Sequence, residues 1–280
     1  MRYPARLAGR SGDIRMWRTL GSAAAGRMHV DIGKGCEDSF GWLTNDEQTV
    51  LVVADGAGSR PRSAAGSIGA VEAILDCAGL CSTLSIDEAL MSALGALQAL
   101  ADCETRPVDD FATTLSVIIL RPTGATIGQI GDCIVVAQFA DGTIASVSPP
   151  EKYEYANETM FLTSPGGIDS TRRADFAAGE IVAVAASTDG LRFKILSDLA
   201  IGTAYEPFFV DLFAFASSPE STGGAIERLL DSLEDQSGDD KTLIVAVPGQ
   251  PVVARFSGPL RIVTTEPDPS SEFGWPTAIP

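Results

Sequence analysis

Apolar residues dominate short, nearly unbroken stretches at 49–54, 113–120, 181–186 and 242–247. Stretches of that length, rich in β-branched residues and without strict alternation, predict strands covered on both faces. Residues 17–25 and 39–43 predict extended segments flanking a glycine-containing loop. Residues 126–130 and 134–139 continue the β texture, and Asp141-Gly142 marks a hairpin turn into 143–147. Between the two strand groups, residues 63–78 carry small and apolar side chains at helical spacing. Ser85 with Glu88 then forms a capping box ahead of an apolar face of Leu90, Met91, Leu94 and Leu97. Residues 207–216 and 223–233 predict two more helices. Strands joined by hairpins, with the helices grouped, point to an α+β fold built on antiparallel pairing. No internal repeat is evident.

The texture changes past residue 247. Residues 251–264 still alternate and suggest an edge hairpin, whereas 265–280, with Pro267, Pro269, Pro276 and Pro280, cannot bury enough apolar surface to fold alone. At the other end, the first thirty residues hold six arginines and one aspartate without the apolar core of a signal segment. The expected organisation is a basic N-terminal arm at 1–15, one domain at 16–250 and a partly disordered extension at 251–280.

Composition narrows the possibilities. The 280 residues are 45% hydrophobic, enough to build a core without disulfide or metal staples. Thirty-seven Asp and Glu against 20 Lys and Arg give a net charge of −17. That balance excludes the electrostatic footprint of a nucleic-acid binder and disfavours an anionic membrane surface. No 18-residue apolar run is present to span a bilayer. The five cysteines are odd in number and lack paired CxxC spacing; Cys77 and Cys81, four apart on a predicted helix, read as small hydrophobes. A reducing cytoplasm fits this pattern.

Catalytic chemistry is limited by the side chains available. The single histidine, His29, rules out a histidine-rich zinc or iron site, and no nucleophile elbow accompanies it. A lone histidine is more often structural than catalytic. Gly33-Lys34-Gly35 lacks the spacing of a phosphate loop, and no dinucleotide fingerprint follows a strand. Acids at strand ends stand out instead. Asp55-Gly56 closes the run at 51–54, and Asp189-Gly190 follows 182–188. Glu37-Asp38 precedes 39–43, and Asp239-Asp240 precedes 242–247. If those strands are neighbours the acids converge, and their repulsion demands cations. Carboxylates without imidazole or thiolate partners favour hard ions such as Mg²⁺ or Mn²⁺. Taken singly, each Asp-Gly is also a common turn, as Asp141-Gly142 illustrates.

The ordered set resembles the metal-dependent protein phosphatases of the protein phosphatase 2C family. The resemblance runs from about Trp17 to Val247 through Glu37-Asp38, Val53-Ala54-Asp55-Gly56-Ala57-Gly58, Thr113-Thr114-Leu115, Gly131-Asp132, Ser187-Thr188-Asp189-Gly190 and Asp239-Asp240-Lys241-Thr242. Tyr155-Ala156-Asn157-Glu158-Thr159 is similar to a stretch in a compact bacterial branch of that family.

The resemblance implies a four-layer α-β-β-α sandwich with two central antiparallel sheets and a two-metal centre for Mn²⁺ or Mg²⁺ at one end. Asp55 would bridge the ions and the Gly56 carbonyl would bind one of them. Asp189 and Asp239 would complete the set, Asp239 being favoured over Asp240 by its distance from Thr242. Glu37 and Asp38 would hold metal-bound waters or contact an ion directly. A third, weaker ion would use Asp109, with Asp110 as its near alternative. The implied activity is a serine/threonine phosphatase acting by direct attack of a metal-bridging hydroxide.

Two positions depart from the family pattern. Ala57 replaces a histidine that can serve as acid, and Gly33 replaces a phosphate-gripping arginine, for which Lys34 or Arg27 would substitute. A catalytically weak or inactive relative that binds a regulatory partner through the same fold is the alternative. The expected partner is a phosphorylated protein, one modified by a kinase resident in the same cell, met by a monomeric phosphatase. Substrate choice is expected from a loop at 151–175 carrying Tyr153, Tyr155, Phe161 and Arg172-Arg173.

Overall fold

The apolar runs assemble into two five-stranded antiparallel sheets laid face to face with helices on both outer sides. The computed structural model describes residues 16–147, 159–234 and 236–250. The predicted arm at 1–15, the extension at 251–280 with its hairpin, and most of the 155–159 segment lie outside the described residues.

In chain order the elements are β1 (Trp17–Ala24), α1 (Arg27–Asp31), β2 (Asp38–Thr44), β3 (Thr49–Asp55), α2 (Ser63–Leu80) and α3 (Ile86–Glu104). Next come β4 (Leu115–Arg121), β5 (Gly124–Ile130), β6 (Ile134–Phe139), β7 (Ile144–Ser146), β8 (Arg172–Ala177) and β9 (Ile181–Ser187). The chain closes with α4 (Arg192–Ile195), β10 (Leu196–Asp198), β11 (Thr203–Ala204), α5 (Glu206–Ser217), α6 (Gly223–Ser232) and β12 (Lys241–Pro248). One sheet has the order β2-β3-β4-β5-β8 and the other β1-β12-β9-β6-β7; β10 and β11 form a separate pair.

Both faces of each sheet are covered, which explains the unbroken runs. On β3, Val50, Val52 and Ala54 pack against α2 and α3, while Leu51 and Val53 meet the opposite sheet. On β12, Leu243, Val245 and Val247 face α5 and α6, and Ile244 and Ala246 point inward. Each fully buried Leu, Ile or Val contributes about 1.5–3 kcal/mol, so no central strand can afford a polar face. Helix α2 is long and apolar enough to cross a bilayer by length and composition. It instead packs against β2, β3 and α3, with Ala70, Val71, Ile74 and Leu75 in the core.

Several sequence expectations require correction. The capping box at Ser85 and Glu88 is present, but Met91 is exposed. The buried face of α3 runs through Ile86, Ala89, Leu90, Ala93, Leu97 and Ala101, with Leu94 only partly buried at its margin. Residues 172–175 do not belong to a substrate loop: they begin β8, an edge strand paired with β5. Arg172 donates to the Gly131 carbonyl and Arg173 to Asp87. An edge strand pairs on one side only and tolerates charge, so its sequence carried little signal.

Candidate metal centre

Strand direction brings the acids together. Antiparallel pairing of β2 with β3 sets Asp38, at the start of one, opposite Asp55, at the end of the other. In the second sheet, Leu243 of β12 pairs with Ser187 of β9, so Asp189 leaves and Asp239-Asp240 enters at the same end. Asp132 lies in the turn between β5 and β6, where the chain passes from one sheet to the other.

Buried hydroxyls tie the two sheets at this point. Thr188 and Thr242 both donate through Oγ1 to Oδ2 of Asp38, at 2.7 and 2.8 Å. The Thr242 N–H in turn donates to Thr188 Oγ1 at 3.1 Å. Asp38 and Asp55 belong to one sheet, whereas Thr242 is on β12, an inner strand of the other, and Thr188 directly follows its neighbour β9.

Glu37 sits behind this group. Its carboxylate accepts from the Ser63 hydroxyl and from Lys34 Nζ at 2.8 Å. Its carbonyl accepts from Ser67 Oγ at 2.5 Å and from the Gly56 N–H at 3.2 Å. A Cβ on Gly56 would meet that carbonyl at 2.7 Å, so this turn admits only glycine in its present geometry.

Asp239 and Asp240 have different fates. Buried Asp240 spends both oxygens on backbone N–H groups, Oδ1 on Gly26 at 2.7 Å and Oδ2 on Glu37 at 2.5 Å. His29 Nδ1 stands 2.9 Å from Asp240 Oδ1 and Nε2 stands 3.4 Å from Glu37 Oε2. The one histidine therefore stands between two acids next to the site. Asp239 is exposed, and its charge acts on Asp55 and Asp189. Among the described residues, His29, Asp239 and Asp240 also present ligand atoms within 4.8 Å of one another; both Asp240 oxygens are committed to backbone N–H groups, and Asp239 Oδ1 accepts from the Asp240 N–H at 2.9 Å.

Electrostatics mark the group as under-neutralised. Burial pushes the Asp55 carboxyl well above the usual carboxylate range, and the charges of Asp38, Asp189, Asp239 and Asp132 push it further. Burial and the charge of Asp240 raise Asp38, against the opposing hydroxyls of Thr188 and Thr242. Asp189 is pushed up to about 6 by burial, then by Asp132 and Asp239, with Arg192 pulling the other way. Asp239, though exposed overall, is raised by partial desolvation of its carboxylate, against a hydrogen bond from the Asp240 N–H, and by the charge of Asp240. A set of carboxylates that repel one another is stabilised by protons or by cations.

The remaining candidates fall elsewhere. Asp109 is half exposed and faces Arg60 at 3.8 Å; it is not among the charges that raise Asp55, Asp189 or Asp239. Asp110 pairs with Arg106 at 3.1 Å. Arg27 is exposed on α1. Two residues without an assigned role join the site: Asp132, and Arg192, which contacts Asp189 at 3.2 Å. Gly131-Asp132 is part of the family resemblance, yet a single acid in a turn has no distinguishing chemistry until the sheets are assembled.

Two antiparallel sheets between helix layers, with acids converging at one end, define the class, and sequence comparison agrees. The profile of the protein phosphatase 2C family matches residues 25–234, and the chain belongs to that family. Over 252 residues it is 29% identical to serine/threonine-protein phosphatase 3 of Escherichia coli (strain K12), covering 82% of this chain and 98% of that protein.

Solved structures share the fold at lower identity. A bacterial serine phosphatase has a TM-score of 0.61 at 13% identity, covering 84% of this chain and 98% of its own. The serine/threonine phosphatase Stp1 of Staphylococcus aureus has a TM-score of 0.59 at 15% identity, covering 87% of this chain and 100% of its own. RsbX in complex with magnesium has a TM-score of 0.54 at 16% identity, covering 85% of this chain and 99% of its own.

Proposed function

We propose that the protein is a Mn²⁺- or Mg²⁺-dependent phosphatase that hydrolyses phosphoserine and phosphothreonine in proteins. The observation that carries this reading is the convergence at one end of the sandwich of Asp55, Asp189 and Asp239, whose carboxyls are held above the ordinary range, with the charge of Asp132 acting on Asp55 and Asp189. The donor set is oxygen throughout, which fits a hard divalent ion. Asp55, the Gly56 carbonyl, Asp189 and Asp239 would hold two such ions. Asp132, rather than the Arg60-paired Asp109, is the better placed acid for a weaker third. When bound, paired divalent ions acidify water and neutralise charge on the phosphoryl oxygens.

The chain's own residues supply orientation and proton handling. Asp38, gripped by Thr188 and Thr242, is fixed beside Asp55 and is suited to accept a proton from water entering the centre. Glu37 is held by Ser63, Lys34 and His29, so its carboxylate is aimed before substrate arrives. Ala57 brings no acid to the leaving oxygen, which leaves water to return its proton. Substrate would be a phosphorylated protein from a kinase of the same cell, met by a monomer in a reducing cytoplasm.

Hydrolysis of p-nitrophenyl phosphate and of a phosphothreonine peptide, with Mn²⁺ added or chelated, tests the reading. Turnover is expected only with metal, and Asp55→Asn and Asp239→Asn are each expected to lower it by about 10²-fold or more, equivalent to about 2.7 kcal/mol of lost transition-state stabilisation. Metal-independent turnover, or full activity in both variants, would sink it. Absence of both metal binding and turnover would favour the partner-binding module instead.

A further inference from the structure

The proposed phosphatase must hold an anionic phosphoryl group beside a strongly acidic rim, and the obvious cations are engaged elsewhere. Gly33 lies in left-handed backbone at φ +70° with nothing within 4 Å of where a Cβ would stand, so it offers no grip. Lys34 Nζ is 2.8 Å from Glu37 and 3.3 Å from the Gly58 carbonyl. Arg60 faces Asp109, and Arg62 and Arg106 both meet Glu104.

Arg192 differs in placement. It follows Asp189 by three residues, and its Nη1 donates to Asp189 Oδ2 at 3.2 Å. The backbone beneath it is anchored on both sides by buried Leu191 and Ile195, while the guanidinium side chain stays 47% exposed. The ring of Phe193 lies under the guanidinium at 4.9 Å from its centroid, a cation–π contact. A planar fork of five donors matches phosphoryl oxygens.

We propose that Arg192 binds the phosphoryl group of the substrate, taking the role that Gly33 cannot fill. This rests on the phosphatase reading. Without cations Arg192 serves as counter-ion to Asp189. An Asp189 oxygen given to a divalent ion no longer presents its charge to Arg192, and like charge disfavours the old contact. The guanidinium would then turn from Asp189 toward phosphoryl oxygens by side-chain rotation on a backbone held by Leu191 and Ile195.

Arg192→Ala, Arg192→Lys and Lys34→Ala in the full chain separate the possibilities. Three quantities are read: kcat and KM on p-nitrophenyl phosphate at saturating Mn²⁺, the Kd of inorganic phosphate by calorimetry with Mn²⁺ present, and the Kd of Mn²⁺ alone. Arg192→Ala is expected to weaken phosphate binding and raise KM by about tenfold or more, with a smaller change in kcat. Arg192→Lys should recover part of the loss, and Mn²⁺ should bind Arg192→Ala at least as tightly as the parent.

Unchanged phosphate affinity in Arg192→Ala overturns the proposal. So does a loss confined to Mn²⁺ affinity, which would make Arg192 a positioning residue for Asp189. A larger phosphate loss in Lys34→Ala than in Arg192→Ala also overturns it. A parent protein that binds Mn²⁺ and phosphate but hydrolyses nothing defeats the phosphatase reading alone, and the phosphate arm still decides Arg192. A parent that binds no phosphate with Mn²⁺ present defeats both.

Discussion

Asp38 stands directly opposite Asp55 across the β2–β3 ladder, and burial raises both carboxyls. Register partners on one sheet face have Cβ atoms about 4.5–5.5 Å apart, too close for two unscreened charges without cost. Replacing Asp55 by Asn removes one of them. Without metal, Asp55→Asn is expected to be more stable than the parent, while losing most of the stabilisation gained on adding Mn²⁺. Denaturation midpoints with and without EDTA check both signs; a variant less stable without metal would contradict the repulsion.

Stability should depend on pH in the direction set by the same group. Asp189 is raised from 3.8 to about 6, so the folded state binds its proton more tightly than the unfolded chain does. The stability this contributes is present below about pH 4 and is lost as pH rises through about 6. Metal-free protein is therefore expected to lose thermal stability between about pH 4.5 and 7 on this account. Mn²⁺ should restore it increasingly toward neutral pH as protons cease to compete for the ligands. Melting curves across that range, with and without Mn²⁺, test the widening gap.

Thr188 and Thr242 grip the same oxygen of Asp38 but are not equivalent. Thr188 Oγ1 also accepts from the backbone N–H of Thr242, so Thr188→Val leaves a buried donor unpaired as well as a carboxylate under-bonded. Thr242→Val is expected to cost about 1.5–3 kcal/mol, the worth of a hydrogen bond to a charged group, and Thr188→Val about 1–3 kcal/mol more. Urea titration of the two single variants checks the order, and equal costs would place the Thr242 N–H elsewhere.

Gly190 and Gly95 should respond oppositely to alanine. A Cβ on Gly190 would fall 1.8 Å from the Asp240 carbonyl oxygen, a backbone atom that cannot swing away, whereas Gly95 on α3 has nothing within 4 Å. Gly190→Ala is expected to cost about 3 kcal/mol or more and to spread the loops carrying Asp189 and Asp239, weakening Mn²⁺ binding. Gly95→Ala is expected to stabilise by up to about 1 kcal/mol through helix propensity. A Gly190→Ala protein with parental midpoint and metal affinity would refute the close approach.

The legible parts of the molecule share one physical basis. Strands buried on both faces announce themselves through continuous apolar runs, and Asp55 and Asp189 were visible because each interrupts such a run with a charge followed by glycine. The choice of Asp239 over Asp240 was different. Adjacent acids look alike in a sequence, and it is burial, the N–H groups of Gly26 and Glu37 and the neighbouring His29 that separate their environments. Asp132 has no role legible in the sequence, since the acids it acts on, Asp55 and Asp189, lie at distant positions. Arg192 gave no signal at all, because a basic residue after an Asp-Gly pair has no pattern of its own. β8 escaped for the opposite reason to the core strands: its alternating, charged sequence reads as loop until β5 supplies its partner.

The hydroxyl clasp between Thr188, Thr242 and Asp38 means that the acids belong to a seam and to neither sheet alone. Asp38 and Asp55 travel with one layer of the sandwich, Asp189 and Asp239 with the other. Ions held across that seam would act as rivets, resisting any slip of one layer over its neighbour. Occupancy would then gauge alignment: strain applied far away, at the outer helices, could be sensed as a change in metal affinity without any contact between the stressed surface and the ions.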